Sequence, residues 1–201
     1  MKNPRNIFAK ISAALMIVLA IGTAAVAKRH SDPAFSNIKI RNFGKMDNRF
    51  YRGAQPDESD YKDLKALGVK TVIDLQDHPT SYEKRDVEAL GMRYVNIPMS
   101  DSSYPKPEQI NAFLKLVNDP ATGTMFVHCA GGRHRTGVMG AVYRFNVNHW
   151  NLDQAYAEMK DYDFYTKFGH GDLKTFVEDY AQKMQPNSAT AATGGAAQKN
   201  R

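Results

Sequence analysis

A single cysteine and a single tryptophan stand among the 201 residues. The six histidines, at positions 30, 78, 128, 134, 149 and 170, include no H-x-x-x-H or H-x-H pair. One cysteine excludes an internal disulfide framework and cannot complete a thiolate cage for zinc, so neither a metal site nor a cofactor is expected. The glycines near position 131 are not followed by the Lys-[Ser/Thr] ending of a nucleotide P-loop. There is no internal repeat. Acid is missing from the first 27 residues, which carry Lys2, Arg5 and Lys10, and Lys199 and Arg201 lie at the other end. The formal charge of +6 thus gathers at the termini, which argues against a nucleic-acid footprint or nucleic-acid partner. With 42% hydrophobic and 24% charged residues, the chain falls in the soluble globular class, and its length suits one domain.

Long apolar runs are confined to the N-terminus. A basic start, an apolar stretch from Ile11 to Ile21 and the small-x-small triplet Ala25-Val26-Ala27 together read as an export signal over residues 1–27. The alternative is an uncleaved anchor, but Lys10 breaks the stretch and its apolar centre is short of the ~20 residues a spanning helix needs. A periplasmic or secreted protein is expected, with membrane contact only if that segment stays uncleaved. Residues 186–201 (PNSATAATGGAAQKNR) contain no large apolar group and read as a disordered tail. The folded domain is expected over 28–185.

Inside that domain two periodicities alternate. Residues 69–75 (VKTVIDL), 92–97 (MRYVNI) and 124–128 (TMFVH) are rich in β-branched and aromatic residues and read as buried strands. Helices are expected over 57–67 and 81–90, ending at Gly68 and Gly91. Three more are expected where apolar residues recur at i, i+3, i+4 and i+7: Ile110, Phe113, Leu114 and Val117; Leu152, Ala155, Tyr156 and Met159; Leu173, Phe176, Val177 and Tyr180. The order implies an α/β fold, a mainly parallel sheet with helices on both faces. Trp150, Tyr156, Tyr162 and Phe164 read as core packing.

The strand TMFVH runs straight into Cys129-Ala130-Gly131-Gly132-Arg133-His134-Arg135-Thr136 and then into a helical run. Strand, glycine-bearing loop and helix N-terminus in that order form an anion cradle, because successive backbone N–H groups converge and the helix dipole adds positive potential. The same field favours a thiolate and can lower a cysteine pKa to roughly 3.5–7.5. Arg135 can return its planar fork to two oxygens of a bound phosphate, and Thr136 offers a hydroxyl close to the sulfur. The bland alternative, a small buried hydrophobe, needs neither the glycines nor the arginine.

His128-Cys129-x-x-Gly132-x-x-Arg135-Thr136 resembles the HCxxGxxR[ST] signature of the cysteine-based protein tyrosine and dual-specificity phosphatases. The likeness extends over most of residues 47–165. Phe50-Tyr51-Arg52-Gly53-Ala54-Gln55-Pro56 is similar to the opening of the compact atypical dual-specificity members, and the loop ending Gly132-Arg133-His134-Arg135 to the plant and fungal group. The resemblance implies a metal-independent phosphomonoesterase with a cysteinyl-phosphate intermediate. Cys129 would attack phosphorus, while Arg135 and the amides of Ala130, Gly131, Gly132, Arg133, His134 and Arg135 hold the oxygens. Thr136 would help the sulfur depart. The family also places an aspartate on a loop before the nucleophile. Asp101, after the strand ending near Ile97, is the expected general acid; a turn residue is the alternative reading, and Asp77 is the competitor.

Arg52 and Gln55 are expected on a solvated loop, with a substrate contact as the alternative, and Arg133 and His134 to rim the pocket or be solvated. His128 is expected to orient the loop. Three rival enzyme classes fit less well. A low-molecular-weight phosphatase carries Cys-x5-Arg near its N-terminus with the acid afterwards, its arsenate-reducing relatives need more cysteines, and a sulfurtransferase has no use for this arginine and upstream acid. A catalytically inactive phosphate-binding module would keep the cradle but commonly loses Cys or Arg. Expected substrates are a phosphorylated protein or a polyanionic phosphorylated small molecule or lipid head group, such as an inositol phosphate or phosphoinositide.

Overall fold

A computed structural model describes residues 35–184; the expected export signal and the tail after 185 lie outside them. Five strands form one sheet: β1 (Gly44–Lys45), β2 (Phe50–Ala54), β3 (Thr71–Gln76), β4 (Arg93–Met99) and β5 (Met125–Cys129). Their spatial order is β1-β2-β5-β3-β4, with β1 antiparallel to β2 and the other neighbours parallel. The helices are α1 (Asp60–Ala66), α2 (Glu83–Ala89), α3 (Pro107–Asn118), α4 (His134–Val147), α5 (Leu152–Asp161) and α6 (Gly171–Met184).

Alternation along each strand sorts the core onto two faces. Phe50, Ile73, Leu75, Met125 and Val127 point to one side, where α3, α4, α5 and α6 supply Phe113, Val142, Met159 and Phe176. Tyr51, Val72 and Phe126 point to the other, against Tyr61 and Leu64 of α1 and Val87 of α2. Helix α4 is buried almost throughout because it lies between the sheet and α5–α6. Arg144 ties it down, donating to Glu158 through Nε at 2.8 Å and Nη2 at 2.7 Å, with the Trp150 ring 4.1 Å from its guanidinium carbon. Among the described residues no helix is long and apolar enough to cross a membrane.

The three expected strands and the helices between and after them are present, with ends displaced by one to three residues. The exception is Phe50–Ala54, expected as part of a solvated loop, which is a fully buried strand beside β5. Gly53 and Arg52 disguised it. Gly53 is required because a Cβ there would lie 2.9 Å from the Phe126 ring and 2.8 Å from Ile40, a close approach that glycine in a strand commonly marks. This strand matters to function, since Ala54 is the register partner of Cys129.

Candidate active site

Cys129 ends β5 and Arg135 lies in the first turn of α4, so the residues between them wrap one cradle at the C-terminal edge of the sheet. The loop is held from outside by its carbonyls. Ala130 O accepts from the Gln55 amide at 3.4 Å, Gly131 O from Asn42 Nδ2 at 2.9 Å and Gly132 O from Arg52 Nη2 at 2.8 Å. In a trans peptide the N–H points opposite to its own carbonyl, so three successive carbonyls turned outward direct the N–H groups of the same peptides inward, the arrangement an oxyanion needs.

Arg52 is therefore neither solvated nor at the rim. It is wholly buried on β2, with the Tyr162 ring 3.9 Å from its guanidinium carbon, and braces the loop from behind. Gln55 is half-buried and its side chain turns inward, donating to the Tyr61 hydroxyl and to Glu83, each at 3.1 Å. Asn42, at φ +52°, was not signalled by the sequence. An asparagine tolerates that backbone region, but its hydrogen bond spans 89 positions.

Gly132 shows how tight the cradle is. Its φ is +66°, and a Cβ would lie 2.5 Å from the Gly53 carbonyl carbon and 2.6 Å from the Ala54 nitrogen. Backbone cannot give way as a flexible side chain can. Gly132→Ala is expected to weaken phosphate or vanadate binding at least tenfold, since the left-handed backbone alone costs about 1–3 kcal/mol. Gly131→Ala, whose Cβ would meet just the Arg133 side chain at 3.8 Å, is expected to retain binding within a fewfold. Isothermal titration of both variants checks the contrast, and equal affinities would show that the loop relaxes.

At the base of the cradle Cys129 is buried. Burial pushes its thiol up, but the Thr136 hydroxyl, the Arg135 guanidinium and the amides of Thr136 and Gly131 outweigh it and hold the pKa below the ordinary thiol value. Arg135 is itself nearly buried. Its Nη1 donates to Asp77 Oδ1 at 2.9 Å and to Met99 O at 3.1 Å, while Nε has no protein acceptor among the described residues. A buried guanidinium N–H without a partner is costly, and an anion in the cradle would satisfy it.

The two candidate acids stand differently. Asp77 pairs with Arg135; burial raises its pKa, but its own backbone amide and the Arg135 bond prevail and hold it below the ordinary carboxyl value. That suits a carboxylate competing with phosphate for the arginine, not a proton donor. Asp101 lies on the loop after β4, exposed, with its carbonyl 2.7 Å from His170 Nδ1. Its carboxylate acts electrostatically on His134 in the cradle.

His134 is not a solvated rim residue. It is buried, stacked on His170 at 3.6 Å between ring centroids and met edge-on by Tyr165 at 4.3 Å. Burial first, and then His170, lower its pKa to about 4, so its ring is neutral at pH 7. Arg133 is half-buried, its enclosed Nε 3.9 Å from Asp163 Oδ2. His128 is buried against Glu83, as an orienting residue would be. Asp74, Glu83 and His128 bring three possible metal-ligand atoms within 4.8 Å of one another. Those side chains engage each other and Gln55, Gln76 and Tyr94, an ion-pair network and not an open metal site.

A family model described as a DSP-PTPase phosphatase fused to NAD+ kinase matches residues 32–179. Among curated proteins, "Probable tyrosine-protein phosphatase DG1060" of Dictyostelium discoideum is 26% identical over 159 residues, 77% of this chain and 92% of that protein. The dual specificity protein phosphatase TpbA of Pseudomonas aeruginosa is 29% identical over 140 residues, 68% of this chain and 61% of TpbA. Its crystal structure covers 75% of this chain, and 88% of the crystallised chain is matched, with a TM-score of 0.61 and 24% sequence identity. The inositol diphosphatase DSP1 of Oryza sativa is 28% identical over 122 residues, 58% of this chain and 54% of that protein. This chain thus spans between half and two thirds of the length of the last two relatives.

Proposed function

The chain belongs to the DSP-PTPase family of protein tyrosine and dual-specificity phosphatases, and from that premise we propose which of its residues carry the reaction and which substrates they accept. As a member it is a cysteine-dependent phosphatase hydrolase that works through a cysteinyl-phosphate intermediate. Cys129 attacks phosphorus in line. Arg135 and the inward amides of residues 130–135 hold the equatorial oxygens, where charge is greatest in the transition state. Asp101 protonates the leaving oxygen, then takes a proton from the water that hydrolyses the thiophosphate, and Thr136 stabilises the departing sulfur.

The observation that carries this assignment is the loop itself: a thiol with a lowered pKa beneath Arg135, with three carbonyls pinned outward by Gln55, Asn42 and Arg52. Turnover of p-nitrophenyl phosphate, abolished by vanadate, tests it. An inactive phosphate-binding module would bind vanadate and turn nothing over.

Two substrate classes are supported. Phosphotyrosine follows from the family and from relatives named as tyrosine and dual-specificity phosphatases. A polyanionic phosphate, such as an inositol phosphate, is favoured by the likeness to a protein named as an inositol diphosphatase and by the partly exposed cation of Arg133 on the loop. Arg52, buried behind the loop, contributes no rim charge. Arg133→Ala is expected to raise KM for inositol polyphosphates several-fold more than for a phosphotyrosine peptide. Equal effects, or no turnover of inositol phosphates and phosphoinositides, would leave protein phosphotyrosine as the substrate class. Export remains part of the proposal on the strength of residues 1–27, which lie outside the described structure.

A further inference from the structure

Next to the nucleophile's strand lies a charged cluster closed off from solvent. Asp74 on β3, Glu83 at the start of α2 and His128 on β5 are fully buried. His128 Nε2 is 2.8 Å from Glu83 Oε1 and 4.0 Å from Asp74 Oδ1. The remaining carboxylate oxygens have partners of their own. Glu83 Oε2 accepts from Gln55 Nε2 at 3.1 Å; Asp74 accepts from the Tyr94 hydroxyl at 2.9 Å and the Gln76 amide at 2.8 Å. Phe126 stacks on the imidazole at 5.5 Å. The titratable groups that face His128 are therefore Glu83 from α2, Asp74 from β3 and Cys129 from its own strand. Tyr61 of α1 and Tyr94 of β4 stand behind the two carboxylates.

Two buried carboxylates need a buried cation, and His128 is the base the fold puts between them. Burial would strip its proton, but the ion pair with Glu83 prevails, Asp74 and Cys129 act in the same direction, and its pKa rises. Strand alternation sets the His128 ring on the opposite face of β5 from the sulfur, yet the two groups act on each other electrostatically, so an imidazolium there supplements Arg135 and Thr136 through the sheet. We infer that Glu83 is a positioning residue of the phosphatase site: through its ion pair with His128 it governs how readily Cys129 ionises. Gln55 holds Glu83 from the side of the loop it also pins, so the brace of the phosphate cradle and the support of the nucleophile are joined. The inference rests on Cys129 being the nucleophile.

Because the chain has one cysteine, alkylation of the whole protein by iodoacetamide reports on Cys129 alone. Its rate against pH is measured for the wild type, Glu83→Gln, His128→Gln and the double variant. Glu83→Gln is expected to move the midpoint upward by about one pH unit, roughly a tenfold slower alkylation below the midpoint, with His128→Gln doing the same and the double variant nothing more. A carboxylate acting on the thiol directly has the opposite sign, because removing a negative neighbour favours the thiolate. A lowered or unmoved midpoint, or additive shifts, therefore overturns the inference, as does a loss of thermal stability alone. If Glu83→Gln fails to fold, nitrogen-15 NMR of the wild-type histidines decides. His128 is expected to hold its proton above the ordinary imidazole value near 6.5, and a ring that loses it at or below that value overturns the inference. Failure of the nucleophile assignment shows separately, as turnover retained by Cys129→Ser whatever the alkylation midpoints.

Discussion

Cys129→Ser is expected to lower turnover of p-nitrophenyl phosphate by at least about 10³-fold while phosphate or vanadate still binds within a fewfold of the wild type. A serine hydroxyl at the same place is a far weaker nucleophile than a thiolate, and losing a nucleophile commonly removes most of the chemical acceleration. The binding elements are separate from the sulfur. Arg135 is held by Met99 O and Asp77, and the loop carbonyls are tied by Gln55, Asn42 and Arg52. The wild-type pH profile should agree. With the thiol below its ordinary value, the acid limb of kcat/KM lies below the usual thiol range near 8.5, and activity falls as pH drops through that limb because the thiolate is protonated. Substantial residual activity in Cys129→Ser would exclude the covalent route.

The second large effect concerns the proton donor. Asp101→Asn is expected to lower kcat by roughly 10²–10⁴-fold on alkyl phosphates and much less on p-nitrophenyl phosphate, whose leaving group needs little help. Asp77→Asn should behave differently. Asp77 occupies Arg135 Nη1 at 2.9 Å, so its removal frees the guanidinium for phosphate. It should lower KM or leave it unchanged, with kcat near that of the wild type. Steady-state kinetics on both leaving groups separates the two carboxylates. A larger kcat loss in Asp77→Asn, with Asp101→Asn mild, would reverse the assignment and leave the nucleophile standing.

What the sequence determined by itself is the part of the protein that local spacing encodes. Cys129 and Arg135 stand six positions apart across a strand-to-helix junction, so one turn of backbone suffices to bring them together, and the glycines between them are legible as a conformational need. The strands at 69–75, 92–97 and 124–128 and the helices with i, i+3, i+4, i+7 stripes were legible for the same reason: burial of one face, or of a whole strand, leaves a period in the chain. The family signature lies within that local code.

Only the tertiary structure decided what surrounds the loop. Arg52 reads as a loop residue because Arg and Gly in five positions mask a strand. Its burial depends on Tyr162 and the Gly132 carbonyl, 110 and 80 positions away. Asn42 and Glu83 carry no pattern at all, since a residue that braces a loop 89 positions along the chain, or pairs with a histidine on another element, leaves no mark on its own neighbours. The surroundings of Asp77 and Asp101 divide in the same way: both follow strands beside turn-forming residues, and what separates them is the Arg135 guanidinium that the fold sets against Asp77. Spacing records contacts within a turn or two, whereas charge pairing and bracing across the sheet exist only once β2, β3, β5 and α2 have packed.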